Sequence, residues 1–508
     1  MIITNFNSML AILRPVHISS LLYFFFLALC LCFVGCEQLE EPQKNTHITT
    51  AGAGCNSCHE KDNDPNHDFG CQVCHGGNVA GQSAEASHQG MIASPTHPDH
   101  APLKCGGCHA DMIGTASQSS HYRMPSHLAM VFHSFAGREI PIPDITALKA
   151  FDTPETELQL VEDLLVRRCL RCHVYTAGDS FPATRRALGC GACHLEYKDQ
   201  QLVSHVFIQP SDQQCLSCHY GNHVGADYYG RFEQDFNEEY RTPYTTTADY
   251  FRPYGVEYHQ LATDIHHTAG LVCIDCHQKN ELMGTDQISL TCENCHDQKA
   301  LQESTAADIS FQNGEFLFHS RSTGKTHRLP LMQNPAHVRY ADTVGCHVCH
   351  AQWIFNDRET HLLRVDHEEL EPWEKLTLDG SSEVHHILQS YIAYEHDTIE
   401  PSMSHKVTGR QHVGLWIKGF VERRWERFIY IRDEHEKVQI GRTLLDLHLS
   451  YIDENEMVIF DTIVPQSDAR VVTPYSPHTI GKAGIFYHAR IEAALRLLSS
   501  TLQPRYRE

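Results

Sequence analysis

The chain has 508 residues, of which 41% are hydrophobic, and it carries 40 Lys and Arg against 63 Asp and Glu, a net charge of -23. This length predicts two or three domains, and this composition predicts a globular chain, neither disordered nor a multi-span membrane protein. The negative charge disfavours binding to nucleic acid and to anionic lipid headgroups, so we expect soluble or cationic partners.

The N-terminus predicts export from the cytoplasm. An apolar run from Ile18 to Val34 follows the basic residue Arg14 and ends at small residues. A short apolar run behind a basic residue is the pattern of an export signal. An uncleaved transmembrane anchor stays open as an alternative, because the run is nearly long enough to span a bilayer.

The end of this run resembles a bacterial lipobox. The residues are Phe33-Val34-Gly35-Cys36, with Phe33 where leucine is usual. The resemblance implies that residues 1–35 are a lipoprotein signal peptide and that Cys36 is the lipidated first residue of the mature protein. Residues 36–54 then form a linker. By analogy with enteric lipoproteins, Glu37 favours sorting to the outer membrane, facing the periplasm or the cell surface.

Nine copies of one motif, Cys-x-x-Cys-His, follow the linker. We number them motifs 1 to 9 in chain order: Cys55/Cys58/His59, Cys71/Cys74/His75, Cys105/Cys108/His109, Cys169/Cys172/His173, Cys190/Cys193/His194, Cys215/Cys218/His219, Cys273/Cys276/His277, Cys292/Cys295/His296 and Cys346/Cys349/His350. This motif is the attachment signature of c-type haem. Its two thiols bind the vinyl groups of the haem, and its histidine is the proximal ligand of the iron. The sequence therefore predicts nine covalently attached haems.

Other chemistries of paired cysteines explain the pattern less well. Zinc ribbons use Cys-x-x-Cys pairs but need no histidine after each, and thioredoxin-like sites use the pair once. Here a histidine follows all nine pairs. The motifs take eighteen of the 21 cysteines, and the other three are Cys30, Cys32 and Cys36, so no further cysteine remains in the mature chain to form a disulfide.

Histidines outside the motifs are candidates for the second axial ligands. Of 38 histidines, nine belong to the motifs, which leaves 29. Those upstream of a motif or in the long gaps between motifs are the distal candidates: His47, His67, His97, His121, His127, His205, His223, His267 and His337. The alternative for each is an ordinary hydrogen-bonded histidine.

The spacing of the motifs predicts the fold class. Residues 55–350 hold nine motifs, too few residues for an apolar core around each haem, so we expect a mainly helical and irregular region in which the haems form the core. One helix is predicted there, capped by Thr153 with Pro154 at its first position and running to Cys169. Residues 351–508 carry no motif; alternating patterns at 428–431, 445–451 and 457–464, with a helical pattern near Ile491, predict a small α+β domain.

The nine motifs resemble those of multihaem c-type cytochromes of bacteria that respire external electron acceptors. The resemblance covers residues 47–350 and includes lipoproteins of outer-membrane electron conduits, some associated with selenite or tellurite reduction. It implies an anaerobic respiratory electron-transfer protein with no catalytic residues. Redox proteins, including a porin–cytochrome conduit, would be its partners, and an N-terminal lipid would hold it at the membrane.

Two other functions compete with electron transfer. One is an oxidoreductase that reduces a small oxyanion, such as nitrite, tetrathionate, selenite or tellurite, at one haem with an open coordination position. The variant motif ending in lysine, found in pentahaem nitrite reductases, does not occur, since all nine motifs end in histidine. The other is a subunit of a cytochrome filament, which a lipid tether disfavours. The function of the C-terminal region, docking a partner or capping the haems, stays open.

Overall fold

The protein divides into two compact units, Met1–Glu60 and Lys61–Glu508. The computed structural model describes residues 54–59, 64–221, 224–233, 254–256, 258–284, 290–373, 380–393, 400–419, 421–425, 428–443, 445–466, 472–484 and 486–499. The predicted signal peptide, Cys36, the linker up to residue 53, His47 and His223 lie outside these residues. In the first unit, only motif 1 and the glycine before it are described, and motif 1 begins with the 3-10 turn Cys55–Ser57.

The motifs of the second unit lie in or beside short helical segments. These segments are Cys71–His75, Gly106–Ala116, the 3-10 turn Cys169–Cys172, Gly191–His194, Asp212–His219, Cys273–Cys276, Cys292–His296 and Cys346–His350. A helical turn places residues three and four apart on one face, so both thiols and the histidine can meet one haem. Local caps hold several of these turns: the Ser211 hydroxyl accepts from the backbone of Gln213, and Gln214 accepts from the backbone of Ser211.

The remaining helices connect the motifs or cover them. Their bounds are Ala84–His88, Ala101–Lys104, Ser120–Arg123, Pro125–Ala136, Glu157–Arg167, Gly225–Tyr228, Ile265–Ala269, Lys279–Met283, Gln298–Glu303, Pro335–Tyr340, Ser382–Ile392 and Tyr487–Ser499, with 3-10 turns at Pro65–His67, Ile145–Ala147 and Glu371–Trp373. None of the described helices is long and apolar enough to cross a membrane.

The helix predicted from Thr153 begins one turn later than the sequence suggested. It spans Glu157–Arg167, and its cap is Thr156, whose hydroxyl accepts from the backbone N–H of Gln159. The predicted start was therefore wrong by one turn, because Thr153 and Thr156 are both possible caps and only the second makes the capping bond.

The strands are short in the motif region and longer after residue 350. They are Tyr197–Lys198, Gln201–Leu202, Arg231–Glu233, Tyr258–Gln260, Ile309–Gln312, Glu315–His319, Thr326–Arg328, Asn356–Arg358, Thr360–Val365, Ser402–Ser404, Gln411–Val413, Leu415–Lys418, Glu422–Arg424, Ile429–Arg432, Val438–Thr443, Leu447–Ile452, Val458–Ile463 and Val472–Pro474. The three strands that the alternating patterns predicted lie at Ile429–Arg432, Leu447–Ile452 and Val458–Ile463, each within two residues of the expected bounds.

The main sheet has four strands in the order Leu415–Lys418, Thr360–Val365, Leu447–Ile452, Val458–Ile463. The two central strands run parallel and the outer pairings are antiparallel. Trp416, Val365 and Leu449 on this sheet pack with Leu160 and Leu164 of the helix Glu157–Arg167 in one apolar cluster. Residues from both sides of position 350 thus share a core within the second unit.

Candidate haem-binding site

Six motif histidines each face a second histidine at nearly the same distance. Between ring centres the pairs are His67 with His109 (6.1 Å), His75 with His205 (6.2 Å), His121 with His219 (6.3 Å), His266 with His296 (6.0 Å), His277 with His478 (6.1 Å) and His337 with His350 (6.0 Å). Each pair joins one motif histidine to one histidine outside the motifs. These pairs involve motifs 2, 3 and 6 to 9.

The constant distance fits two ligands of one metal ion better than ordinary ring packing. A metal–imidazole bond is about 2 Å long and the ring adds about 1 Å to its centre, so two imidazoles on opposite sides of one ion have centres about 6 Å apart. The angle between ring planes varies from 8° for His337 and His350 to 87° for His121 and His219. Ring packing favours particular angles over a range of distances, whereas a shared central atom fixes the distance and leaves rotation free. Three histidine pairs outside the motifs spread from 4.6 to 6.4 Å.

Hydrogen bonds at Nδ1 orient many of these rings. Backbone carbonyls accept from Nδ1 at 2.7–2.9 Å in His75, His194, His296, His350 and His121. Carboxylates of Asp64, Asp264 and Glu281 do the same for His67, His266 and His277 at 2.6–3.0 Å. A proton on Nδ1 leaves the lone pair of Nε2 available, and such bonds are the usual support of a metal-binding histidine.

Burial shifts the pKa of several rings and thiols of the site. It lowers the pKa of His478 to about 4, so this imidazole is neutral, as a metal ligand must be. Burial, together with the neighbouring thiol of Cys218, raises the pKa of Cys172 to about 11. The shift differs from one motif to another, since the neighbouring side chain of Cys346 lowers the pKa of Cys292 to about 7. Among the described residues, no group of three or more His, Cys, Asp or Glu side chains is placed to hold a metal ion together.

The structure does not test the assignment of Cys58, His59 and Cys218 to haem. In motif 1, Cys58 and His59 are exposed, and His59 does not belong to the six pairs. The Sγ of Cys58 lies 3.8 Å from the Ser57 hydroxyl, and in motif 6 the Sγ of Cys218 lies 3.7 Å from the Ser217 hydroxyl. Each thiol thus contacts the serine beside it. Haem attachment at Cys58, His59 and Cys218 stays a prediction from the motif alone.

The surroundings of His173 in motif 4 differ from those of the motif histidines in the six pairs. Its ring stacks on Tyr175 at 5.1 Å with an interplanar angle of 8°, and its Nε2 lies 3.0 Å from the backbone carbonyl of Tyr122. Within the described chain, no histidine ring faces it at the spacing of the six pairs. Burial lowers its pKa to about 4, and its Nδ1 is buried without a hydrogen-bond partner among the described residues.

The distal candidates within the described residues fall into three groups. His67, His121, His205 and His337 lie in the six pairs described above. Upstream of motif 7, the histidine that pairs with a motif histidine is His266, which faces His296, and not the neighbouring His267, which contacts Tyr228 and Tyr229. His97 contacts His100 and Tyr175, and His127 lies on the helix Pro125–Ala136.

His478 is the member of the pairs that sequence reasoning missed. It lies far beyond motif 9, and nothing in the spacing of the motifs indicates it. For His266 a local signal exists: Asp264 caps the helix Ile265–Ala269, and its Oδ1 accepts from both the backbone N–H and the Nδ1 of His266. An Asp-x-His sequence upstream of a motif therefore favours the second residue after the aspartate.

Successive motifs contact one another. The backbone N–H of Cys273 in motif 7 donates to Asp212 at the start of the motif 6 helix at 2.8 Å. Motifs 8 and 9 also meet, since the Cys346 thiol of motif 9 donates to the carboxylate of Glu293 within motif 8 at 3.6 Å. The motif 6 helix also contacts the segments of motifs 4 and 5. Redox groups attached at these motifs would be close neighbours.

Comparison with known proteins adds nothing to this geometry. No known protein family, curated protein or solved structure matches this chain. The interpretation of the site therefore depends on its residues and on their arrangement.

Proposed function

We propose that the chain binds nine c-type haems and carries electrons among them. The observation that supports this best is the set of six histidine pairs with ring centres 6.0–6.3 Å apart, each including a motif histidine. In this proposal, the eighteen motif cysteines form thioethers, the motif histidines are proximal ligands and their ring partners are distal ligands. A bound haem supplies one-electron redox chemistry, whose potential its axial ligands and burial set.

The residues around each pair would define its orientation and exclude water. Carbonyl and carboxylate acceptors fix the rings, as at His75 and Ile92 or at His277 and Glu281. Contacts between motifs, such as that between the motif 6 helix and motif 7, hold neighbouring redox groups at fixed separations. Such an array suits transfer between a membrane or periplasmic donor and an outer acceptor.

Location and partners follow from the sequence alone. We propose an exported outer-membrane lipoprotein anchored through Cys36, facing the periplasm or the cell surface. Its partners would be redox proteins, with a porin–cytochrome conduit as the type that the resemblance suggests. The net charge of -23 favours partners with cationic docking faces and disfavours nucleic acid.

Purified holoprotein is expected to contain nine haems per chain, all retained after acid–acetone extraction because they are covalently bound. At least six should be low-spin with two histidine ligands in low-temperature EPR. A variant with serine at both Cys215 and Cys218 should contain eight, and so should one with serine at both Cys55 and Cys58, whose motif ends in the exposed His59. A preparation with full redox activity but haem that is extracted by acid–acetone would contradict the proposal.

The surroundings of His173 favour a second candidate function, reduction of a small oxyanion at motif 4. No histidine faces this ring in the described chain, and its neighbours Tyr122 and Tyr175 line a cavity of about 190 Å³. That volume is below the range of about 300–1,000 Å³ typical of drug-sized ligands, so the cavity suits a small molecule. Its wall includes Arg123 and Asp144 but not His173 itself. The motif itself is basic, with Arg168 before and Arg171 within it.

If motif 4 holds an open iron, the oxidised protein should show one high-spin haem that shifts when nitrite or selenite is added. The Cys169→Ser/Cys172→Ser variant should lose this signal, and the matched Cys190→Ser/Cys193→Ser variant in motif 5 should keep it. Nine low-spin haems whose spectra do not change when nitrite or selenite is added would eliminate this candidate. Electron transfer would then remain as the proposed function.

A further inference from the structure

Residues 475–481, which we call the 475–481 segment, join the C-terminal region to the sites of motifs 7, 8 and 9. The segment follows the strand Val472–Pro474 and carries His478, whose ring centre lies 6.1 Å from that of His277 in motif 7. The ring planes meet at 26°. Of the six pairs, this one takes its second histidine from beyond motif 9.

Hydrogen bonds on both sides of His478 fix its position. The backbone N–H of Ile480 donates to Asp264 at 2.6 Å, and the Ile480 carbonyl accepts from the N–H of Ile265 at 2.8 Å. Before the histidine, the hydroxyl of buried Tyr475 donates to buried Asp227 at 2.6 Å. The backbone on both sides of His478 is therefore held against residues upstream of motif 7.

The spacing of His478 to its partner, and not its burial, marks it as a ligand, since the Nδ1 of His448 is also buried without a hydrogen-bond partner among the described residues. Most buried polar atoms in proteins have a hydrogen-bond partner. The Nδ1 of His478 is buried, and it has none among the described residues. A ring held in this way is positioned by the backbone on either side of it, and its spacing to His277 is that of two ligands of one metal ion.

We propose that His478 is the second axial ligand of the iron bound by His277, so that the C-terminal region completes a haem site of the motif region. This inference rests on the proposed function. The same segment supports the next two sites: Asp264, which accepts from Ile480, also accepts from His266 Nδ1, and the Gly481 carbonyl accepts from His350 Nδ1 at 2.9 Å. One segment thus orders the axial histidines of motifs 7, 8 and 9.

The His478→Met variant tests the assignment in the full-length holoprotein. We expect nine haems per chain, with one bis-histidine signal lost from the EPR spectrum and replaced by a histidine–methionine haem of higher potential. The matched control is His448→Met, a half-buried histidine of the same region whose ring centre lies 4.6 Å from that of His361, and it should keep every bis-histidine signal.

Two readouts separate failure of this inference from failure of the proposed function. If wild-type protein contains no covalent haem, the proposed function fails. If His478→Met contains nine haems and all bis-histidine signals are unchanged, only the assignment of His478 fails. Should the methionine variant misfold, His478→Gly prepared with and without imidazole replaces it: recovery of one low-spin haem by imidazole supports the assignment, and a spectrum that equals that of wild type without imidazole overturns it.

Discussion

Replacing Asp163 with asparagine is expected to lower the free energy of unfolding by about 3–5 kcal/mol, the usual effect of removing one partner from a buried ionic network. Asp163 is fully buried, and its Oδ2 accepts from Arg167 at 3.2 Å, from Arg364 at 3.1 Å and from the indole of Trp416 at 2.8 Å. Asparagine keeps the size of the side chain but leaves two buried guanidinium groups with less opposing charge.

This network joins the motif region to the region after residue 350. Arg167 ends the helix Glu157–Arg167, which leads into motif 4, whereas Arg364 lies on a central strand of the main sheet. Burial opposes the charge of Arg364, but the carboxylates of Asp163 and Asp366 outweigh burial and raise its pKa. Replacing Asp163 with asparagine should therefore destabilise both motif 4 and the main sheet.

Chemical unfolding of the holoprotein, followed by both far-UV circular dichroism and haem absorbance, measures this effect. Glu162→Gln is the matched control, because it removes the neighbouring carboxylate, whose contact with the backbone of Lys149 is exposed. We expect the control to change the free energy of unfolding by less than about 0.5 kcal/mol, as is usual for surface substitutions. Equal midpoints for both variants would show that the buried network contributes no net stability.

Local features of this chain were predictable from sequence, and long-range pairings were not. The motifs, the strands after residue 428 and the helix before motif 4 follow from spacing and periodicity, which depend on neighbouring residues. The pairing of His121 with His219, or of His277 with His478, depends on how distant segments pack. Even adjacent residues were ambiguous: the choice of His266 over the histidine that follows it depends on a side-chain bond.

The exposure of single motif residues was not predictable either. All nine motifs share one pattern, yet His59 is exposed whereas His173 is buried, and Cys58 and Cys218 each contact the serine beside them. The motif fixes only the turn that brings two thiols and a histidine to one face. What covers that face depends on segments that lie elsewhere in the chain.

The helix before motif 4 also shows which features the sequence could predict and which it could not. Its apolar face was recognisable, since Leu160, Val161 and Leu164 recur at helical spacing and are buried. Its first residue was not, because Thr153 and Thr156 are both competent caps and only the hydroxyl of Thr156 accepts from a backbone N–H, that of Gln159.

Removing the haems of motifs 2 and 3 is expected to speed amide hydrogen exchange across residues 64–120 by at least about hundredfold, equivalent to about 2.7 kcal/mol of local stability. In this described stretch the only buried hydrophobic residues are Ala101 and Ala116. Phe69, Val73 and Leu103 are exposed at 44%, 49% and 77%. Two alanines cannot offset the conformational entropy of so many residues, so the stretch needs another apolar surface to stay folded.

The variant carries serine at Cys71, Cys74, Cys105 and Cys108, and hydrogen exchange with mass spectrometry compares it with wild-type holoprotein. Serine at both cysteines of motif 9 gives the matched control, since the helix Cys346–His350 packs Val348 into an apolar cluster with Val438 and Ile440. Loss of that haem should change exchange around motif 9 much less.

If residues 64–120 exchanged equally slowly without their two haems, their stability would have to come from elsewhere in the chain. The contrast between the two variants therefore tests whether covalent haem replaces the missing apolar side chains. Under the proposed function, haem faces would cover Phe69, Val73 and Leu103, which are exposed in the described chain.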